Sequence, residues 1–459
     1  MAEKGNGHKL KSRETFTSGL GTIAATLGSA IGLGNIWKFP ALTGENGGAA
    51  FLFIYLLCVA FIGLPVMLAE FIIGRRTHSN AVGAFKKLEP GKPWYVVGWM
   101  GVLASILILS FYTTVVGWVL AYVFKAVSGS LSGIDALGAR QVFNQVVGHP
   151  VYPLFWQLVV FVIISLIIMA GVQKGIERIT KTLLPVLFIL LVICDIRALT
   201  LPGAKEGLNF LFNPHFSGIT ALTVLIAMGL AFFKLSIGMG TMLTYGSYMR
   251  DDDNLIATGG RVVIADTVVS IMAGMAVFPA VFAFGFEPTS GPPLLFLTIP
   301  MVFNAMPGGQ IFLSLFFILA FIATIGAMIS MLEVPVAFLQ EEKGLKRNTA
   351  VIVTVLVIAS IGSLATLSGS VLSHVLIWGK NFFALFDFVS SNILMPLGGL
   401  IIAIYVGWVM GKKQVLEELS NRGSLKQERI IQAFSLVVRY ITPIAIGIIL
   451  LNGLGIIKF

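Results

Sequence analysis

Charged residues are scarce in this sequence. Only 11% of its 459 residues are Asp, Glu, Lys or Arg, whereas a soluble domain carries about 25%. Hydrophobic residues supply 57% of the chain, and they fall in long runs joined by short connectors. This composition excludes a soluble globular protein and indicates one membrane-embedded domain that covers residues 1–459.

Cysteine and recognisable catalytic motifs are equally scarce. The two cysteines, Cys58 and Cys194, lie in apolar runs without the spacing of a metal site or a redox pair, and we expect them to be buried. The sequence contains no phosphate-binding loop, no zinc-protease motif and no paired nucleophile and base. We therefore expect no enzyme and no cofactor, and these motifs indicate no metal centre.

The sequence also lacks the features of a secreted or nucleic-acid-binding protein. Residues 1–17 are polar and basic, without the apolar core and cleavage site of a signal peptide. The net charge of +10 comes from short basic clusters between apolar runs, so no nucleic-acid partner is expected. The predicted partners are the lipid bilayer and a small substrate.

Apolar runs long enough to cross a bilayer are the main feature that is present. Each crossing needs about 20 residues, and eleven candidate spans can be placed, which we number 1 to 11. The predicted fold class is therefore an all-α polytopic membrane protein with eleven transmembrane helices. The spans cover residues 16–43, 49–74, 95–128, 152–171, 179–199, 218–248, 257–286, 309–339, 350–367, 382–410 and 430–457.

Basic residues fall at every second connector, as expected when Lys and Arg concentrate on the cytoplasmic side. This pattern predicts a multi-pass protein of the cell membrane with a cytoplasmic N-terminal tail, residues 1–15, and an extracellular C-terminus. The basic clusters lie within residues 4–13, 75–92, 174–181, 250–261, 343–347 and 412–429.

Spans 1 and 6 contain helix-breaking residues at corresponding places. Each glycine costs a helix about 1 kcal/mol relative to alanine, so three within two turns favour local unwinding. Breaks in spans 1 and 6 indicate two inverted repeats, residues 16–199 and 218–410, followed by an extra span, 430–457, with a substrate site at the repeat interface. The alternative is that these glycines are packing notches between helices. The residues concerned are Gly28, Gly32, Gly34, Asn35, Ser236, Gly238 and Gly240.

Unwound backbone in a membrane must face a ligand, an ion or water, because lipid cannot satisfy its N–H and C=O groups. The N-terminus of a half-helix attracts a carboxylate, and free carbonyl groups attract a cation. A zwitterionic amino acid matches both requirements.

Residues 28–40, followed by residues 45–48, resemble the first-helix signature of the neurotransmitter:sodium symporter family, in particular its bacterial amino-acid transporters with the leucine-transporter fold. The resemblance implies a secondary transporter of an amino acid, most naturally a neutral or apolar one, that works by alternating access. Further matches are residues 63–65, 70, 175–178, 207–211, 231–233, 236–240 and 439–443.

The resemblance also implies a substrate pocket and an outer gate. The amine-transporting members have Asp where this chain has Gly32, and glycine leaves room for the carboxylate of an amino acid. Phe296 matches a lid residue in the connector 287–309, and Lys38 with Asp387 matches the charged pair of the gate, which Tyr112 and Phe233 complete. The implied pocket residues are Ala30, Gly32, Gly34, Ile108, Tyr112, Phe233, Ser236, Met239, Phe296 and Met331.

The ion sites implied by the resemblance depart from the family pattern. In the first site, the carbonyl of Ala30 and the side chain of Asn35 are accompanied by Lys234 and Asp266 instead of a hydroxyl and an amide. We predict that the Lys234 ammonium takes the volume of the first sodium ion and pairs with Asp266, because an unpaired charge in mid-membrane costs about 3 kcal/mol or more.

The second ion site is expected to lose two ligands. The carbonyl groups of Gly28, Ile31 and Ala323 are present, but Gly326 and Ala327 stand where the family has hydroxyl groups. A register shift that brings in Thr324 or Ser330 is the alternative.

The chloride site also departs from the pattern. Tyr55 and Ser270 match it, but Leu230 and Lys234 replace its other ligands, so chloride is not expected. Together these changes make sodium coupling doubtful and proton coupling possible.

Several interpretations remain open at this stage. The chain could be an ordinary sodium:amino-acid symporter, the pair formed by Lys234 and Asp266 could be a scaffold salt bridge, or the protein could be a membrane amino-acid sensor that does not transport. Glu70 and Asp195 are expected to form structural pairs, while the role of Glu333 is ambiguous.

Overall fold

The computed structural model describes residues 13–285 and 294–457, and this part of the chain folds almost entirely into helices. Within it, nine helices are long and apolar enough to cross a membrane, and a bent pair raises the number to ten. A polytopic helical membrane protein is therefore confirmed. The nine helices are Ala49–Thr77, Tyr95–Val127, Tyr152–Met169, Val172–Leu199, Leu255–Ala283, Gly309–Glu342, Arg347–Leu367, Phe382–Val409 and Glu428–Gly453.

Span 1 is the bent pair. Its two halves, Gly19–Ala30 and Gly34–Glu45, meet at an angle of 53°. Ser18 begins the first half by accepting a hydrogen bond from the Gly21 N–H, as expected for an N-cap serine. The break falls at residues 31–33, within the predicted segment.

Span 6 is also broken. The helix Ala221–Lys234 is too short to cross a bilayer alone, and the helix Thr241–Gly246 follows after six non-helical residues. Within the break Ser236, Gly238 and Gly240 have φ angles of 51°, 77° and 76°. Glycine adopts this left-handed region without steric cost, which explains why the sequence places glycine at two of the three positions.

Short helices occupy connectors that sequence periodicity did not predict. None is longer than 13 residues, and helices of this length depend on packing against the long helices. The first seven residues of the predicted lid, 287–293, and most of the predicted N-terminal tail lie outside the described residues. The short helices are Ala81–Leu88, Ala136–Gly148, Ala204–Phe212, Ile299–Asn304 and Lys412–Leu419.

Spans 3 and 8 form the centre of the bundle. In the most apolar stretch of Tyr95–Val127, 83% of the residues are buried, compared with 22% in Glu428–Gly453, so span 11 lies at the periphery. Span 8 packs tightly on span 1, because a Cβ atom on Gly326 would lie only 2.2 Å from the carbonyl oxygen of Gly28. The two broken helices therefore lie against a closely packed centre.

Candidate functional site

The breaks of spans 1 and 6 meet in the middle of the bundle. The hydroxyl of Ser236 donates a hydrogen bond of 3.0 Å to the Ser29 carbonyl, which joins the two unwound segments. They enclose a cavity of about 20 Å³, which we call the central pocket. Its lining includes all of the predicted substrate residues except Phe296. The lining residues are Ser29, Ala30, Gly32, Gly34, Ile108, Tyr112, Phe233, Lys234, Ser236, Met239, Ala327 and Met331.

Polar groups freed by the break in span 1 find partners in side chains. The N–H of Gly32 donates to Asn35 Oδ1 at 3.1 Å, and the N–H of Leu33 donates to the hydroxyl of Tyr112 at 3.1 Å. This satisfies the expectation that the buried Tyr112 hydroxyl has a partner. A Cβ atom on Gly32 would lie 3.0 Å from that hydroxyl oxygen and 3.3 Å from Ala327 Cβ, so the absence of a side chain keeps the pocket open.

A second, larger cavity of about 330 Å³ lies against the central pocket, and we call it the vestibule. The two cavities share Gly34, Tyr112 and Phe233. Lys38 and Asp387 both line the vestibule. The predicted gate residues are therefore grouped around one cavity.

The charged pair predicted for the gate is not formed. The Lys38 ammonium lies 4.0 Å from the ring centre of Phe233, and in the described part of the chain it forms no ion pair with Asp387. The Asp387 carboxylate instead accepts a hydrogen bond of 2.8 Å from the Ser391 hydroxyl. The physical reason is that the vestibule separates the two side chains, and the ammonium is attracted to the face of an aromatic ring.

Phe296 does not reach the central pocket, contrary to its predicted place there. Its ring packs 4.9 Å from Tyr122, 5.5 Å from Phe143 and 6.0 Å from Trp118, measured between ring centres. Trp118 and Tyr122 lie six and ten residues beyond Tyr112 on the same helix, which places them about 9 and 15 Å further along it. Phe296 is therefore held in an aromatic layer above the pocket.

Lys234 contacts Asp266, as predicted. Lys234 Nζ lies 3.0 Å from Asp266 Oδ2, and neither side chain has any exposed surface. The ammonium also donates to the hydroxyl of Tyr55 at 2.9 Å and to the hydroxyl of Ser270. The other carboxylate oxygen, Asp266 Oδ1, accepts a hydrogen bond of 2.7 Å from Asn35 Nδ2. The pair is thus fully hydrogen-bonded, as a buried ion pair requires.

The Lys234 ammonium is surrounded by residues that the resemblance assigned to ion sites. Its hydrogen-bond partners, Tyr55 and Ser270, are residues that the resemblance assigned to chloride. The side-chain amide oxygen of Asn35, an expected ligand of the first sodium site, accepts a hydrogen bond from the Gly32 N–H. Asp266 therefore binds the ammonium through Oδ2 and the Asn35 amide through Oδ1, and the occupation of the sodium volume by the ammonium stays a prediction.

The predicted second ion position is a narrow cavity of about 10 Å³, lined in part by Gly28, Ile31, Ala323 and Gly326. The remaining predicted residue, Ala327, lines the central pocket instead. The hydroxyls of Thr324 and Ser330 donate to carbonyl groups of their own helix. The register shift considered from the sequence therefore gains no support.

Glu70 has a role that sequence reasoning did not identify. Its carboxylate accepts hydrogen bonds from the N–H groups of Gly238 at 2.6 Å and Leu243 at 3.1 Å, so it holds the break of span 6 and the start of the following half-helix. The signal available in the sequence was a carboxylate in an apolar run.

Glu333, whose role was ambiguous, pairs with Arg347 at 2.7 Å and accepts a hydrogen bond from the Tyr248 hydroxyl.

The side of the bundle that carries the N-terminal segment is closed. Arg13 forms an ion pair with Glu341, donates to Ser247 and lies 4.6 Å from the ring centre of Tyr248. The Thr17 N–H donates to Glu177 at 2.8 Å. The vestibule lies on the opposite side of the central pocket, beside the second half of span 1, so these contacts close the side away from the vestibule.

A bundle of membrane-crossing helices, with two helices broken at one central pocket and a seal on one side of it, defines a membrane transporter. The comparisons with known proteins agree with this class. The chain belongs to the Sodium:neurotransmitter symporter family, whose sequence profile matches residues 13–137 and 145–458. It is therefore a transporter and not an enzyme.

Two bacterial relatives match nearly the whole chain. A protein of Bacillus subtilis (strain 168) named uncharacterized sodium-dependent transporter YhdH is 41% identical over 97% of this chain and 98% of its own length. An uncharacterized sodium-dependent transporter of Haemophilus influenzae is 36% identical over 97% of this chain and 99% of its own length. Both relatives are named as sodium-dependent.

A solved structure has the same fold. The crystal structure of MhsT in complex with L-phenylalanine is 45% identical to this chain, with a TM-score of 0.89, and the match covers 96% of this chain and 100% of MhsT. The resemblance to the bacterial branch of the family is thereby confirmed.

Proposed function

We propose that this protein is a secondary transporter that carries a neutral amino acid across the membrane by alternating access about the central pocket. The observation that carries the proposal is the meeting of two unwound helix segments in one pocket of mid-bundle, with a seal on one side and a vestibule on the other. We further propose eleven crossings, with the two halves of span 6 counted as one, and inverted repeats formed by spans 1–5 and 6–10.

The lining of the pocket supports a substrate with an apolar side chain. Ile108, Met239 and Met331 supply apolar surface, and the charge of Lys234 is already neutralised by Asp266. The unwound backbone around Gly32 and the Tyr112 hydroxyl offer polar partners to a substrate carboxylate. MhsT, the solved relative, was crystallised with L-phenylalanine, which agrees with this substrate class.

For the coupling ion, the names of the relatives favour ordinary sodium:amino-acid symport. A sodium ion at the first site would have available the carbonyl group of Ala30, and one at the second site the carbonyl groups of Gly28, Ile31 and Ala323. Chloride is not proposed, because Leu230 and Lys234 replace two of its expected ligands. This form of the proposal replaces the sodium-independent transporter as the leading function.

A second candidate rests on one observation. The Lys234 ammonium satisfies Asp266 from within the protein, so transport without sodium at the first site is the competing mechanism, with a proton as the possible coupling ion. In that case the fixed ammonium would supply the charge that sodium supplies in its relatives.

Uptake of radiolabelled L-phenylalanine and L-leucine into proteoliposomes tests both candidates. Sodium symport predicts accumulation that is lost when choline replaces sodium. Accumulation that persists in choline and follows an imposed pH gradient would favour the second candidate. Binding without accumulation under every gradient would identify a sensor instead of a transporter.

We also propose that the N-terminus is cytoplasmic. The basic connectors meet on one side of the bundle, where Arg75 pairs with Glu418 and donates to the Asp253 carbonyl, and this side is sealed by Arg13. Lys and Arg on short connectors favour the cytoplasm. Protease protection of a tag fused at each terminus of the chain in sealed vesicles would check the orientation.

A further inference from the structure

A large cavity lies outside the transport pathway, between the end of span 10 and the start of span 11. Its volume is about 540 Å³, larger than that of the vestibule. We call it the peripheral groove. One end is fixed by close contact, because a Cβ atom on Gly407 would lie 3.0 Å from Arg439 Cα. The lining residues are Val406, Gly407, Lys412, Val415, Leu416, Glu428, Ile431, Gln432, Ser435, Leu436, Val438, Arg439 and Tyr440.

Arg439 is an unpaired cation in this groove. Within residues 13–285 and 294–457 its side chain forms no ion pair, and its Nε is buried without a hydrogen-bond partner. The guanidinium lies 4.0 Å from the ring centre of Trp408 and 5.8 Å from that of Tyr440. Such stacking leaves the edge of the guanidinium free for an anion. A charged arginine on a membrane helix is costly unless a counter-charge is near.

The groove has a second cation and a polar wall. Lys412 is exposed and, among the described residues, has no acidic partner, while Gln432 and Ser435 provide hydrogen-bonding groups on span 11. Glu428 is the acidic residue of the lining. It lies eleven residues from Arg439 on the same helix, about 16 Å away, so it does not neutralise the guanidinium.

The remaining surface of the groove is suited to hydrocarbon. Val415, Ile431 and Val438 form a buried apolar floor, and Trp408 and Tyr440 are each about half exposed at its rim. Tryptophan and tyrosine concentrate at the boundary between hydrocarbon and headgroups. The groove therefore combines a cationic end, hydroxyl and amide groups, and apolar walls.

We propose that the peripheral groove binds one anionic phospholipid, with its phosphate at Arg439 and Lys412 and its acyl chains along the apolar floor. Charge complementarity selects the headgroup, because a zwitterionic lipid carries its own cation and gains less from two basic residues. The basic residues lie on the side where the basic connectors meet, which is the leaflet that attracts polybasic segments when it holds anionic lipid.

Native mass spectrometry of the full-length protein, released from nanodiscs that contain equal amounts of phosphatidylglycerol and phosphatidylcholine, tests the proposal. The wild type should retain one phosphatidylglycerol in preference to phosphatidylcholine. Arg439→Gln should reduce this retention about tenfold. Arg422→Gln is the matched control, because it removes a charge on the same side whose side chain is 83% exposed, and it should change retention less than twofold.

Three results would overturn the proposal. These are equal retention of both lipids, unchanged retention in Arg439→Gln, and displacement of phosphatidylglycerol by millimolar inorganic phosphate, which would assign the cations to a free anion. A dimer lost in Arg439→Gln without a lipid difference would assign the groove to a second copy of the chain. Should Arg439→Gln fail to fold, Lys412→Gln should still lower retention about fivefold, and an unchanged value would count against the lipid site.

Discussion

The pair formed by Lys234 and Asp266 is the most unusual residue-scale feature. A buried pair with full hydrogen bonding contributes little net stability, but removal of one partner leaves an uncompensated charge and costs about 3–5 kcal/mol. The stability of this protein should therefore depend on keeping both charges or on removing both.

We predict that Lys234→Met lowers the free energy of unfolding by about 3–5 kcal/mol, because it leaves the Asp266 carboxylate buried without a counter-charge. The double variant Lys234→Met with Asp266→Asn should recover a large part of this loss. Thermal unfolding in a fixed detergent measures both, with Lys413→Met as a control at an exposed lysine. A double variant less stable than Lys234→Met would contradict the prediction.

A second feature at the residue scale is Gly32, which leaves space in the central pocket because it has no side chain. Gly32→Ala places a methyl group against the Tyr112 hydroxyl and Ala327, and we expect amino-acid affinity to fall at least tenfold, with the fold retained. Gly229→Ala is the matched control, since no atom lies within 4 Å of a Cβ built there. Scintillation proximity binding measures the affinities, and equal affinities for the two variants would contradict the prediction.

At the scale of elements, the break of span 6 is held by one carboxylate, that of Glu70. Glu70→Gln replaces an acceptor of two N–H groups with an amide that offers one acceptor oxygen, so at least one of the N–H groups of Gly238 and Leu243 loses its charged partner. We expect transport to fall at least tenfold with a smaller effect on folding yield. Asp195→Asn is the control, because Asp195 Oδ1 has no hydrogen-bond partner in the described residues. Equal uptake by the two variants would contradict the prediction.

The sequence predicted elements better than it predicted contacts between them. The predicted bounds of the unbroken spans agree with the structure to within several residues, because long apolar runs fix where helices cross. The breaks were found from glycine and asparagine, which act locally. Phe296 and the pair of Lys38 with Asp387 were misplaced because their positions depend on how a connector packs and on which partner a flexible side chain selects. Neither is encoded in local sequence.

The ion sites show which contacts residue identity can predict and which it cannot. The identities of Lys234 and Asp266 were sufficient to predict their contact, since a buried ammonium needs a counter-charge. The hydroxyl partners of the ammonium could not be predicted, because they depend on the rotamer of a long side chain and on the positions of Tyr55 and Ser270. The coupling ion therefore stays a prediction that the uptake experiment tests.

At the scale of the whole molecule, the seal around Arg13 sets which side of the pocket is accessible. We predict that Arg13→Ala increases hydrogen exchange in residues 13–30 and lowers substrate affinity, because it removes the contacts to Glu341, Ser247 and Tyr248. Arg250→Ala is the control, since Arg250 pairs with Asp252 on the same side at an exposed site. Unchanged exchange in Arg13→Ala would show that other contacts hold the seal.

The position of Phe233 between the vestibule and the central pocket has a consequence for kinetics. An amino acid could collect in the 330 Å³ space first, but it could enter the 20 Å³ space only after the ring turns away from Lys38 and the walls expand. Association would then be a two-step process, whose observed rate in a stopped-flow experiment levels off at high substrate concentration. The plateau rate would equal the rate at which the Phe233 ring moves in the empty protein, and it would not depend on which amino acid binds.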